Sequence, residues 1–175
     1  MILEKHRNIS LIGFMGSGKS TIGKILADKT NKLFIDLDRI IELSEGISIK
    51  EIFKLYGEKY FRDIENKAII KVISNNNCIF ACGGGVVNRV DNMTILRKNS
   101  LIIYLEISVE SALRRLKDLN DRPLINVNNR ENVIRSLITK RKKLYRKYSD
   151  IIINCDREDA DRLTDILSNK LKHHI

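Results

Sequence analysis

The chain has 175 residues, room for one domain with a sizeable core but hardly for two. At 43% hydrophobic and 31% charged residues its composition is that of an ordinary globular protein, which excludes a disordered tail. A net charge of +10 suits nucleotides, phosphorylated metabolites, carboxylates or nucleic acid, but the charge alone selects none of them.

Apolar runs and amphipathic segments alternate along the chain. Lys5, His6 and Arg7 precede an apolar stretch from Ile9 to Met15 that resembles a secretion signal only superficially. It is short, lacks a small-residue cleavage site and runs straight into glycines. Residues 8–13 predict a buried strand, and residues 19–29 a helix with Ile22, Ile25 and Leu26 on one face. A second strand is expected over 32–36, then helical segments over about 38–44, 48–55 and 58–74. Residues 78–82 predict a third strand ending in three consecutive glycines, followed by a helix over 88–98 and a strand over 101–105. Ser108 suits the cap of a helix running to about 117.

Residues 118–132 are polar and hold the sole proline, Pro123, so they predict a mobile lid leading into a basic helix over 131–148. A strand over 151–154 and a helix over 159–171 close the chain. Uniformly apolar strands separated by helices predict a mostly parallel sheet covered on both faces, an α/β fold. A single domain over 1–175 is expected, with excursions at about 38–75 and 116–131. No run of 18 apolar residues suggests a membrane span. Cys78, Cys82 and Cys155 are odd in number and lack zinc spacing, as expected for free thiols in a reducing, cytoplasmic compartment.

Gly13-Phe14-Met15-Gly16-Ser17-Gly18-Lys19-Ser20 matches G-x-x-x-x-G-K-[ST] and lies between a predicted strand and a predicted helix. Such glycines let backbone N–H groups from Gly16 to Thr21 wrap phosphates. Lys19 would meet the β- and γ-phosphates, and the Ser20 hydroxyl a Mg²⁺ ion. The chain is expected to bind a nucleoside triphosphate. An Asn-Lys-x-Asp guanine reader and an Asp-x-x-Gly switch are both missing, which argues against a GTPase. Small size and a polar lid favour a metabolite kinase over a motor or transport ATPase.

Three other features admit two readings each. Asp36 and Asp38 sit at a strand's carboxyl end, where open α/β sheets bind ligands. They could support Mg²⁺ or accept a proton, or simply be a solvated strand end and a helix cap. Arg62 and Glu65, three apart on a helix, form either a mutually orienting pair or surface decoration. Gly83–Gly85 is either a flexible turn or a place where a ligand touches bare backbone.

Taken together, G-F-M-G-S-G-K-S-T, D-L-D-R-I-I-E, G-E-K-Y-F-R-D-I-E, C-G-G-G-V-V, R-P-L and R-K-K-L-Y resemble shikimate kinases, in the family's order and over nearly the whole chain. The resemblance implies a P-loop, nucleoside-monophosphate-kinase-like three-layer sandwich with five parallel strands ordered 2-3-1-4-5. It implies transfer of the ATP γ-phosphoryl group to the 3-hydroxyl of shikimate, with ATP as cosubstrate and Mg²⁺ as cofactor. Carried onto this chain, Asp38 would bind the acceptor hydroxyls and act as base, with Asp36 beside Ser20 at the metal. Arg62 and Arg141 would grip the substrate carboxylate, and Glu65 would hold Arg62.

The Gly84 backbone, within Gly83–Gly85, would meet a ring hydroxyl, and Phe53 and Phe61 would wall the ring. Gly16, Ser17, Gly18, Lys19, Ser20 and Thr21 would cradle the phosphates, and Arg122 of the lid would cover the transferring group. Arg115 would stack on adenine opposite the loop around 156–159, although Arg114 precedes it and leaves the choice open. The lid itself, with Ile125 and its asparagines, departs from many relatives. A monomer with no membrane or nucleic-acid partner is expected. A kinase with another acceptor, such as gluconate, is the nearest alternative, and an RNA-associated nucleotide-dependent regulator a more distant one.

Overall fold

The computed structural model describes residues 8–117 and 129–172. Strand β1 (Asn8–Ile12) runs into the phosphate-loop glycines and then helix α1 (Lys19–Thr30). Strand β2 (Leu33–Asp36) leads into α2 (Leu37–Glu45) and α3 (Ile49–Val72). Next come β3 (Cys78–Ala81), a 3₁₀ turn at Val86–Asn88 and α4 (Val90–Asn99). Strand β4 (Ser100–Glu106) precedes α5 (Val109–Leu116) and α6 (Arg130–Tyr148), and β5 (Ile151–Asn154) and α7 (Ala160–Leu171) complete the order. The strands form one parallel sheet in the order β2-β3-β1-β4-β5. None of the described helices is long and apolar enough to cross a membrane.

Alternation along the strands builds a core on each face. Ile102 and Tyr104 of β4 pack with residues of α4, α5 and α6 such as Met93, Leu116 and Tyr145. Ile103 and Leu105 face the opposite way, onto Leu26 of α1 and Leu163 and Leu167 of α7. A smaller cluster of Ile41, Ile52, Phe61, Ile64 and Ala68 holds the α2–α3 excursion together. All three cysteines are free and buried.

Local chemistry accounts for most boundaries. Ser48 and Glu51 form a reciprocal capping box at the start of α3, and Ser108 caps α5 by accepting from the Ser111 N–H. Gly57, at φ 79° and ψ 176°, breaks α3 into the two segments expected at 48–55 and 58–74. Two expectations are corrected. The helix expected from residue 88 begins at Val90, because the chain after the triple glycine first closes a tight 3₁₀ turn. The cap of α2 is Asp36 rather than Asp38: its Oδ1 accepts from the N–H groups of Asp38 at 3.1 Å and Arg39 at 3.4 Å.

Candidate active site

The phosphate loop joins β1 to α1 in a left-handed path through Gly16 (φ 80°) and Gly18 (φ 91°), conformations costly to any side chain with a Cβ. Gly18 is also the N-cap of α1 and has no side chain with which to cap it. The first N–H groups of the helix are thus left for an anion, reinforced by the helix dipole. Lys19 Nζ donates to the carbonyls of Gly13 and Phe14, each at 2.9 Å, which folds the charge over the loop. Ser20 Oγ donates to Asp36 Oδ2 at 2.6 Å, so the metal candidates do meet. Gly16, Gly18, Lys19, Ser20 and Thr21 line one cavity with Asp36 and Asp38, while Ser17 is buried and absent from its lining.

A second cavity opens beside the first. Its walls include Asp38, Phe53, Phe61, Arg62, Arg141 and the three glycines 83–85. Met15, Asp38 and Gly84 line both cavities, so they form the partition between them. Phe53 and Phe61 stand together with ring centroids 4.8 Å apart. Arg62 is tied from two sides, by Glu65 Oε2 at 3.0 Å and Glu58 Oε1 at 2.9 Å, and its guanidinium lies 5.1 Å from the Phe61 ring. Burial works against its charge, but the two carboxylates hold its pKa above the ordinary value. Burial pushes the Glu65 carboxyl above its usual range despite Arg62 alongside. Arg62 and Glu65 are therefore an orienting pair inside the cavity wall rather than surface decoration.

Close approach explains the three glycines. A Cβ on Gly83 would lie 2.7 Å from Glu65 Oε1 and 3.0 Å from Asp38 Oδ1, and one on Gly85 would collide with the Arg62 guanidinium. Neither glycine has a positive φ. What they supply is room for the charged side chains of the site. Arg141, although buried, reaches the same cavity from α6, and its Nη1 donates to the Gly84 carbonyl at 3.2 Å.

A third cavity continues from the phosphate loop between Arg115 and residues Glu158 to Ala160. Arg115 donates to the carbonyls of Gly16 and Cys155, tying the loop to the end of β5. Arg114 turns instead to Ser111 on its own helix, at 3.2 Å, so Arg115 is the arginine that faces this cavity. Asp156 secures the same loop: burial raises its pKa, but hydrogen bonds from Ser108, Ser111 and Asn154 outweigh that and hold it below the usual range. Arg122 lies outside the described residues, as do residues 118–128 of the expected lid.

Met15, Ile49 and Tyr145 are site residues that the sequence did not single out. Met15 sits in a variable position of the phosphate-loop motif, and Ile49 looks like any apolar helix residue. Tyr145 is the last residue of the R-K-K-L-Y motif and carries no site signal of its own, yet its hydroxyl donates to the Gly84 carbonyl.

Comparisons with known proteins agree with this geometry. A family model described as shikimate kinase matches residues 15–172. The chain is 40% identical over 166 residues to a shikimate kinase of Sulfurihydrogenibium sp. (strain YO3AOP1), covering 95% of this chain and 98% of that one. Among solved structures, it is similar to a shikimate kinase from Acinetobacter baumannii in complex with shikimate. That match has a TM-score of 0.92 and 34% identity, covering 97% of this chain and 96% of the other. A deoxyadenosine kinase from M. mycoides with bound dATP has a TM-score of 0.65 at 16% identity, over 94% of this chain and 99% of the other, and speaks for the architecture alone.

Proposed function

The chain belongs to the shikimate kinase family and transfers the γ-phosphoryl group of ATP to the 3-hydroxyl of shikimate, and from that premise we propose how its residues divide the work. The observation that carries the reading is the shared wall of Met15, Asp38 and Gly84. It sets a cavity lined by Lys19 directly against one lined by Arg62 and Arg141. Donor and acceptor can thus be held side by side in adjoining cavities.

The ATP phosphates occupy the loop from Gly16 to Thr21, with Lys19 leaving its carbonyl partners to meet the β- and γ-phosphates. The adenine lies in the cavity faced by Arg115. Arg62 and Arg141 hold the shikimate carboxylate, a planar anion suited to guanidinium. Phe53 and Phe61 flank the ring, and the backbone of Gly83–Gly85 meets its hydroxyls. Asp38, present in both cavities, accepts the proton of the attacking hydroxyl as the new O–P bond forms and the bridging O–P bond to ADP breaks. Arg122 is assigned to the charge on the transferring group by the family resemblance.

Ser20 and Asp36 supply hard oxygen atoms beside the phosphate cavity, a donor set that fits Mg²⁺. Among the described residues no three His, Cys, Asp or Glu side chains gather into a cage, which suits a cation carried mainly by phosphate and water. When bound, Mg²⁺ supplies charge neutralisation at the phosphates. Since one chain builds both cavities, we assign activity to the monomer, and the buried free thiols favour the cytoplasm. The test is ADP formation with and without shikimate. Strong stimulation by shikimate but not by gluconate is expected, and ATP consumption indifferent to shikimate would refute the reading.

A further inference from the structure

Two side chains of α6 donate to the Gly84 carbonyl. Arg141 does so through Nη1 at 3.2 Å, and Tyr145 through its hydroxyl. The two residues are four apart, one turn along the same helix face. Both are nearly sealed from solvent, at 3% and 1% exposure. The Tyr145 ring stacks on Tyr104 of β4, with centroids 4.9 Å apart and 22° between planes, so its hydroxyl is anchored to a central strand. Burial pushes the phenol above its ordinary pKa, which keeps it protonated and able to donate.

We propose that Tyr145 is a positioning residue for the acceptor: by holding the Gly84 carbonyl it fixes both the Gly83–Gly85 backbone and the Arg141 guanidinium that meets the shikimate carboxylate. A carbonyl oxygen has two lone pairs, and a guanidinium has five N–H donors. With the Tyr145 hydroxyl on one lone pair, Arg141 engages the other through Nη1 at the edge of the cavity it lines. Without that hydroxyl, a second guanidinium N–H gains an acceptor on the same oxygen. The fork then rotates toward the backbone and away from the substrate. The inference rests on the assignment of Arg141 to the carboxylate.

Steady-state kinetics of Tyr145→Phe, Arg141→Ala and the double variant test it, with shikimate and ATP each varied and melting temperatures recorded. Tyr145→Phe keeps the ring stack and removes one hydroxyl. It is expected to raise KM for shikimate roughly three- to tenfold, the scale of one lost hydrogen bond, with KM for ATP nearly unchanged. Arg141→Ala is expected to raise KM for shikimate more, and adding Tyr145→Phe to it is expected to change nothing further. An unchanged KM in Tyr145→Phe, when Arg141→Ala does raise it, would overturn the role of Tyr145 alone. So would a full additional loss in the double variant, or an equal loss for both substrates with a lowered melting temperature. An unchanged KM in Arg141→Ala would overturn the carboxylate assignment and this inference with it.

Discussion

Replacing Gly85 by alanine tests the acceptor cavity without substituting any functional side chain in it. The new Cβ would lie 2.5 Å from both Cζ and Nη1 of Arg62, against an ordinary contact of about 3.5 Å. The backbone of Gly85, at φ −103° and ψ 2°, is open to alanine, so the cost falls on the arginine. Clearing the methyl group requires the guanidinium to move by about 1 Å. Arg62 sits 3.0 Å from Glu65 and 2.9 Å from Glu58, so such a shift stretches at least one of these bonds beyond useful range. It also carries the positive charge away from the substrate carboxylate. Losing one charge-assisted hydrogen bond costs about 1.5–3 kcal/mol, or roughly ten- to 150-fold in kcat/KM. The assay is coupled ADP release with shikimate varied, alongside titration of a fluorescent nucleotide. The expected result is a large loss in kcat/KM for shikimate, matching Arg62→Ala, with nucleotide affinity preserved. Unaltered kcat/KM, or nucleotide affinity falling by the same factor, would refute the reasoning.

Asp38→Asn is expected to lower kcat about a hundredfold or more while nucleotide binding survives, and lost nucleotide affinity would mark Asp38 as a structural or metal residue instead. Gly46→Ala places a Cβ in open space but at φ 72°, so it is expected to cost about 1–2 kcal/mol of stability, seen as a melting temperature lower by roughly 2–8 °C, with kcat/KM unchanged. Burial pushes the Cys155 thiol up to about 12, against the pull of Arg115, and raises Cys78 and Cys82 as well. Thiolate is therefore scarce in the folded protein at neutral pH. At pH 8, mass spectrometry after iodoacetamide should show little labelling of the native chain and all three thiols labelled after denaturation; equally fast labelling of both would contradict the burial.

The sheet was legible because its strands, apolar along their length, stand between segments of clear helical period, and the phosphate loop because its motif is local. Gly57 divides α3 between the two helical segments expected at 48–55 and 58–74. The strand order came from the resemblance rather than from the residues, since periodicity says nothing about neighbours in a parallel sheet. Other features depend on approaches between distant segments. Gly85 is needed because Arg62, 23 positions earlier, lies against it, and nothing in either local pattern records that contact. Asp36 and Asp38 compete for one helix start, and only the backbone geometry decides that Asp36 caps while Asp38 faces the cavities. Tyr145 was hidden among basic neighbours, its partner being a carbonyl that no side-chain pattern reveals.

The small apolar cluster formed by Ile41, Ile52, Phe61, Ile64 and Ala68 stands apart from the two cores that clasp the sheet. The two halves of the cleft therefore rest on foundations of unequal depth. Loosening the shallower one would leave a folded nucleotide binder that no longer recognises its ring acid. Warming such an enzyme would thus erode its selectivity before it dissolved its architecture.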